Sequence, residues 1–263
     1  MTITIQQAID SIIASVPSAP FSETVDTIKM GDASQELTGI VVTFLTTCEV
    51  IEQAVQAGAN LIITHEPTFY NHLDETDWLK DHPVYAEKRK RIEENHIVIW
   101  RFHDYLHSIP PDNTFMGLIE ELGWEADGPA ENPFVCTIQP LTLHQLGQYV
   151  KDRLGLQTVR VVGDLSMSCE HVALLPGFPP AAWQMTSLGV AGADVLIAGE
   201  IHEWETSEYV RDAAALGFKK GLIVIGHAAS EEPGMRRIIP WIVERVPNVP
   251  IRFVSTGSSF HYV

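Results

Sequence analysis

Two stretches of the chain, AGANLIITHE (57–66) and AGADVLIAGE (191–200), share a helix end, an apolar strand and a terminal glutamate, at an offset of 134 residues (191 less 57). An internal echo of this kind makes two similar lobes the first expectation. Around each copy, apolar runs of strand length alternate with segments of helical period. LTGIVVTFL (37–45), CEVIEQAVQAGA and NLIIT read as strand, helix and strand, with Gly58 closing the helix. HPVYAEKRKRIEENH reads as a charged helix, IVIWRF (97–102) as a strand and FMGLIEELG as a short helix ending at Gly123. From Phe134 the pattern recurs: strand FVCTI, helix TLHQLGQYVKDRLG, strands TVRVVG and HVALLPG, helix AAWQMTSLGVAGA and strand DVLIAG. Helix WETSEYVRDAAALG, strand GLIVIG, helix GMRRIIPWIVERV with a kink at Pro240, and strand IRFVS complete it. The opening TIQQAIDSIIASV reads as a helix capped by Thr4. The expected fold is α/β: two similar α/β lobes, 1–125 and 126–263, with helices packed on mixed sheets, intertwined as one unit.

Charge and cysteine content narrow the function. The 34 acidic against 17 basic residues give a formal charge of −17, which repels phosphate backbones and anionic lipid, so neither nucleic acid nor membrane is an expected partner. No run approaches the roughly 18 apolar residues of a membrane span, and no basic segment precedes the first apolar positions, so a cytoplasmic location is expected. Cys48, Cys136 and Cys169 lie far apart with no C-x-x-C, so a bound metal must use nitrogen and oxygen donors. Walker, G-x-G-x-x-G and G-x-S-x-G signatures are missing from the sequence, which leaves ATP-dependent, nicotinamide and serine-hydrolase chemistry without support.

The chain has eleven histidines, and several stand where strands end. His65 and Glu66 follow the apolar run of LIITHEPTFY; HDYLH (103–107), GEIHEWE (199–205) and GHAASEE (226–232) occupy comparable places. His103 with His107, and His227 with Glu231, are spaced i to i+4, so each pair shares one face of a helical turn. Open α/β sheets bind ligands at the carboxyl ends of their strands, which puts the expected metal site in the cleft between the lobes. A lone histidine at a strand end is more often a hydrogen-bonded rim residue than a ligand; four clusters at equivalent ends favour metal. A His and carboxylate set suits zinc, iron or manganese. His72, His82, His96, His144, His171 and His261 fall in charged helices, loops or termini and read as structural or solvated. Arg101, beside the site, reads as an exposed cation able to meet a substrate phosphate.

AGANLIITHEPTFY, AGADVLIAGEIHEWE and GHAASEEPGMRRIIPWIVERVPNVPIRFVS, with GIVVTFLTTCEVIEQA near the start, resemble the Nif-three-like family of dinuclear-metal-centre hexameric proteins over nearly the whole chain. Some members carry the name GTP cyclohydrolase 1 type 2. The resemblance implies two divalent ions and a homohexamer built as a trimer of dimers. His65 matches the first His of the family's His-His-Pro, and His227 and Glu231 match its C-terminal ligands. Two positions depart from the pattern: Glu66 stands in place of the second His, and His107 in place of the Asp of His-Thr-x-x-Asp, whose first His is matched by His103. The implied ligand set, His65, Glu66, His107, His227 and Glu231, with His103 beside it, keeps three histidines and two carboxylates. Asp104 is a second candidate for the carboxylate role. Glu66, Asp104, Glu200 and His202 are the candidate catalytic groups; Glu200, His202 and Glu203 either support the ligands, face substrate or are water-exposed rim residues.

Two functions follow. One is a metal-dependent hydrolase acting on a small molecule through a metal-bridging hydroxide, with GTP cyclohydrolase-like, phosphoester or amide hydrolysis as the possible reactions. The other is a non-catalytic metal-binding, metal-delivery or scaffold protein.

Overall fold

The computed structural model describes residues 2–126 and 134–263. The chain order is α1 (Ile5–Ile13), β1 (Ile28–Met30), β2 (Ile40–Thr43), α2 (Cys48–Gln56), β3 (Leu61–Thr64), α3 (Pro83–Glu94), β4 (Val98–Arg101), α4 (Asp104–His107) and α5 (Asn113–Leu122). There follow β5 (Phe134–Thr142), α6 (Leu143–Arg153), β6 (Arg160–Val162), β7 (Ser168–Leu175), α7 (Ala181–Gly189), β8 (Val195–Ala198) and α8 (Glu208–Ala215). Then come β9 (Gly221–Val224), α9 (His227–Arg237), α10 (Ile239–Arg245) and β10 (Ile251–Phe253).

These elements form two compact units, residues 1–113 with 235–257 and residues 114–234 with 258–263. The division differs from halves at 125 in two places. The inner face of α5 (Leu118, Ile119, Leu122) packs with the second unit's core. Segment 235–257 belongs to the first unit, because β10 pairs in parallel with β2, Ile251 opposite Ile40, and Met235, Ile238, Ile242 and Val246 pack with the apolar face of α1.

In the first unit the sheet order is β1-β4-β3-β2-β10, with β1 antiparallel and the rest parallel. Both faces are covered. Ile40, Val42, Leu61, Ile63, Val98 and Trp100 point to the α1 and α10 side, while Val41, Ile62 and Ile99 point to the side of α2 and α3. This two-sided burial is why the strands read as unbroken apolar runs. The second unit has the order β5-β7-β8-β9-β6, with both edge strands antiparallel, and is buried in the same way.

The echo seen in sequence extends to topology. The runs β1-β4-β3-β2 and β6-β9-β8-β7 match in order, direction and chain sequence. Each copy opens with a helix, α1 or α6, whose N-terminus is closed by a reciprocal Thr and Gln capping box, Thr4 with Gln7 and Thr142 with Gln145.

Three local readings change. The helix expected over GMRRIIPWIVERV is two helices that break at Ile238; Pro240 lies in the first turn of α10, where its missing N–H costs nothing, so it starts a helix instead of kinking one. The segment before α8 is a π-helical turn, Glu203–Ser207. The edge strand β1 lies in a stretch with no strand-like period. Among the described residues, no helix is long and apolar enough to cross a membrane.

Candidate metal centre

In the first unit, β3 and β4 run side by side in register, Thr64 opposite Arg101, and both end at the same level. His65 is the first residue past β3. It is fully buried, its N–H reaches the Thr43 and Phe44 carbonyls, and its Nδ1 donates to the Phe102 carbonyl at 3.2 Å. Past β4, the chain turns at His103 into α4, whose first turn closes through His107 N–H on the His103 carbonyl at 3.1 Å. The i to i+4 spacing therefore works as read: the ring centroids of His65, His103 and His107 lie 4.7, 5.1 and 4.8 Å apart pairwise. One ring nitrogen from each falls within 4.8 Å of the others.

The three imidazoles are oriented by a common device. His103 Nδ1 donates to Asp104 Oδ1 at 2.9 Å, and His107 Nδ1 donates to Asp112 Oδ2 at 2.8 Å. Together with His65 on the Phe102 carbonyl, every ring has its Nδ1 proton assigned to an oxygen, which makes Nε2 the lone-pair nitrogen. Asp104 is itself held: its Oδ2 accepts from the Thr24 hydroxyl (2.8 Å) and the Val25 N–H (3.0 Å). Burial alone would raise its carboxyl, but the bonds from His103, Val25 and Thr24 outweigh that and hold it low. Both oxygens of Asp104 are thus occupied in placing His103, and its geometry is that of a supporting group.

Behind α4 sits Asp26, 5% exposed, whose carboxylate accepts the N–H groups of His103 (2.8 Å), Asp104 (3.1 Å) and Tyr105 (2.7 Å). These are the donors that the start of a helix leaves without intrahelical partners. Burial raises the Asp26 pKa despite them. Burial, then the neighbouring His65 and His107, push His103 down to about 3, so it is neutral at physiological pH, the form that ligates metal.

Glu66 lies on the same rim, with Oε1 3.9 Å from His103 Nε2 and Oε2 3.5 Å from an Arg101 nitrogen. Arg101 is not an exposed phosphate contact: it is wholly buried, and its Nε and Nη1 donate to the His65 and His72 carbonyls. Lys88, also buried, donates to the Thr68 carbonyl at 2.6 Å, and burial pulls it down to about 8. Two buried cations therefore fasten the main chain of the donor loop 65–72.

In the second unit, the equivalent strand ends carry Glu200 after β8 and His227 after β9. His227 Nε2 is 3.1 Å from Glu231 Oε2 one helical turn on, and its Nδ1 is 3.5 Å from Glu200 Oε1. The bond to His227 holds Glu200 below the usual carboxylate range. Gly177, at φ +71°, lets the backbone pass against Glu231, since a Cβ there would collide with Oε1. His202 meets Phe178 edge-on (ring centroids 4.8 Å apart) and lies tilted against Trp204 (5.6 Å), and Glu203 pairs with Arg160 at 2.6 Å.

Of the named ligand candidates, His65, Glu66, His103 and His107 lie in the first unit, and His227 and Glu231 in the second. The residues that the sequence did not single out are Asp26 and Asp112. Neutral imidazoles with anchored Nδ1 protons and adjacent carboxylates are the donor set that a divalent transition ion takes, so the residues fit a metal.

Comparison with known proteins agrees with the fold. A GTP cyclohydrolase 1 type 2 homolog of Clostridium perfringens is 24% identical over 229 residues, covering 83% of each chain. One from Pseudomonas aeruginosa is 25% identical over 207 residues, covering 74% of this chain and 75% of the relative. The crystal structure of a Bacillus cereus protein related to NIF3 superposes with a TM-score of 0.78 at 17% identity, covering 99% of both chains. The family model for DUF34/NIF3 (NGG1p interacting factor 3) matches residues 7–258, and the chain belongs to that family.

Proposed function

We propose that the protein is a metal-dependent hydrolase that holds two divalent ions, with His65, Glu66, His103 and His107 of the first unit and His227 and Glu231 of the second as ligands. The observation that supports this most is the shared orientation of His65, His103 and His107, each with its Nδ1 proton committed to an oxygen. Divalent ions held there supply Lewis acidity and activated water, the chemistry of ester, amide and ring hydrolysis.

The chain's own residues then have separate tasks. Arg101 holds Glu66 from below, and Asp104 and Asp112 hold the imidazoles. Glu200, half exposed and kept ionised by His227, is the carboxylate suited to accept a proton from an attacking water. The names of the curated relatives suggest a purine nucleotide as one substrate. Assembly as a homohexamer is part of the same proposal, consistent with the exposed Val190, Trp204 and Leu216; light scattering tests it.

Elemental analysis of protein purified without added ions tests the centre. Close to two ions per chain, with losses in Glu66→Ala and His227→Ala, supports it; none sinks it. Turnover of GTP, a nitrophenyl phosphodiester or an anilide by the loaded protein then supports hydrolysis. Full metal content with none of these turned over favours the second reading, a metal-binding protein without catalysis.

A further inference from the structure

We propose that the depression over the carboxyl ends of β8 and β9 in the second unit binds a flat, uncharged nitrogen heterocycle with an N–H beside a carbonyl, stacked on Trp204 and read by Glu203 and Arg160. Taking that ring as part of a substrate rests on the hydrolase reading above; the binding itself needs no ion.

Three features carry it. The first is place and size. Ile201, one residue past Glu200, and Val224, at the end of β9, line the depression, and Arg160 enters from β6 opposite Val224. The space is about 400 Å³, room for a bicyclic ring, on the strand ends where open α/β sheets take ligands. After the bond from His227, the charge of Arg160 also helps to hold Glu200 ionised, so the depression adjoins the carboxylate assigned to the attacking water.

The second is a stacking surface. Trp204 lines the depression, is 72% exposed and is braced by the His202 ring at 5.6 Å. An indole beside a concave surface is a platform for a flat π system. It stands on the π-helical turn Glu203–Ser207, and such turns recur at functional sites. The turn is fixed from within: the Ser207 hydroxyl donates to the Glu203 carbonyl, and buried Thr206 donates to Gln184 Oε1 at 2.5 Å. Gln184 Nε2 in turn donates to the Glu200 carbonyl at 3.0 Å, which ties the platform to the strand end that carries Glu200.

The third is the chemistry of the rim. Arg160 Nη1 meets Glu203 Oε1 at 2.6 Å, with both side chains largely exposed. The other carboxylate oxygen accepts an N–H and the remaining guanidinium donors meet a carbonyl, the two complementary groups of a cyclic amide. Among the lining groups, Glu203 and Glu208 outnumber Arg160, which disfavours an anionic ring and suits an uncharged one. Trp204 is also a residue that an assembly contact would cover. A protein surface laid there takes the Arg160–Glu203 pair out of water, whereas a cyclic amide bonds to both partners.

The test is isothermal titration calorimetry of the full-length protein with two uncharged nucleosides: inosine, which has the cyclic amide edge, and purine riboside, which lacks it. Inosine should bind with a Kd below about 1 mM, and purine riboside about tenfold more weakly. Trp204→Ala should weaken inosine about 10- to 100-fold, as loss of a stacked aromatic does. Glu203→Ala should weaken inosine about tenfold and purine riboside less than about twofold. Circular dichroism checks that each variant is folded, and light scattering follows its assembly. A parent that does not bind inosine overturns the proposal, as does a parent that binds the two nucleosides equally. Unchanged inosine binding in folded Trp204→Ala overturns it too. A parent that binds neither nucleoside, with a Trp204→Ala variant of altered mass, gives this face to a second copy of the chain and defeats the ring site. Elemental analysis of the same sample separates this inference from the reading it rests on. Inosine bound by protein free of metal keeps the ring site and defeats the hydrolase, whereas two ions per chain with no nucleoside bound defeats the ring site alone.

Discussion

The Nδ1 of His107 donates to Oδ2 of Asp112 at 2.8 Å, a contact between the end of a one-turn helix and a residue five positions further on. It fixes which nitrogen of His107 faces a ligand. Asp112→Ala should therefore weaken ion binding about 10- to 100-fold, the usual cost of losing such a partner, while leaving the fold intact. Competition with a chromophoric chelator measures this; unchanged affinity would remove Asp112 from the site.

Asp26 is the corresponding anchor on the other side of α4. Asp26→Ala strips the acceptor from three N–H groups and should cost about 2–4 kcal/mol, since leaving buried donors unsatisfied is expensive. Urea denaturation gives the number. A loss below about 0.5 kcal/mol, the scatter of ordinary surface substitutions, would show that water replaces the carboxylate freely.

In the second unit, Gly177→Ala combines a positive φ with a collision on Glu231. The backbone conformation alone costs about 1–2 kcal/mol for a residue with a Cβ. Displacement of Glu231 should lower metal content towards one ion per chain. A melting curve and elemental analysis on the same sample separate the two effects, and an unaltered metal content would mean that Glu231 is not a ligand.

Protonation of His103 gives a pH dependence with a definite sign. Its folded pKa is pushed to about 3, below the ordinary value of 6.5, so between these values the unfolded chain binds a proton that the folded metal-free protein refuses. Its contribution to stability is therefore complete above pH 6.5 and is lost as pH falls towards 3. Unfolding midpoints of the metal-free parent and of His103→Gln, measured from pH 7.5 to 4.5, should converge as the pH drops. Parallel curves would contradict the buried neutral state.

Much of this architecture is legible in the sequence, for a physical reason. β2, β3, β4, β8 and β9 are covered on both faces, so each is an unbroken apolar run that stands out from its helices. β1 is a half-buried edge of three residues and leaves no such trace. The return of 235–257 to the first sheet is a parallel pairing over about two hundred residues, and local pattern carries no information about it. At the site, His103 with His107 and His227 with Glu231 declare themselves through helical spacing. Asp26 does not, because it meets His103 from 77 residues away. Asp112 follows two prolines and looks like ordinary turn chemistry. Arg101 misleads because polar neighbours at a strand end suggest solvent, whereas its guanidinium is occupied by main-chain carbonyls beneath the loop.

The pairing of β10 with β2 also sets an order of events during synthesis. Residues 114–234 form an uninterrupted stretch with its own sheet, so the second unit has nearly all of its parts once that stretch leaves the ribosome. The first unit, although it begins earlier, must wait for α10 and β10 to cover α1 and close its sheet edge. Until then β2 presents an open, apolar margin to the cell, and the nascent chain is most in need of chaperone protection in the interval before its last strand arrives.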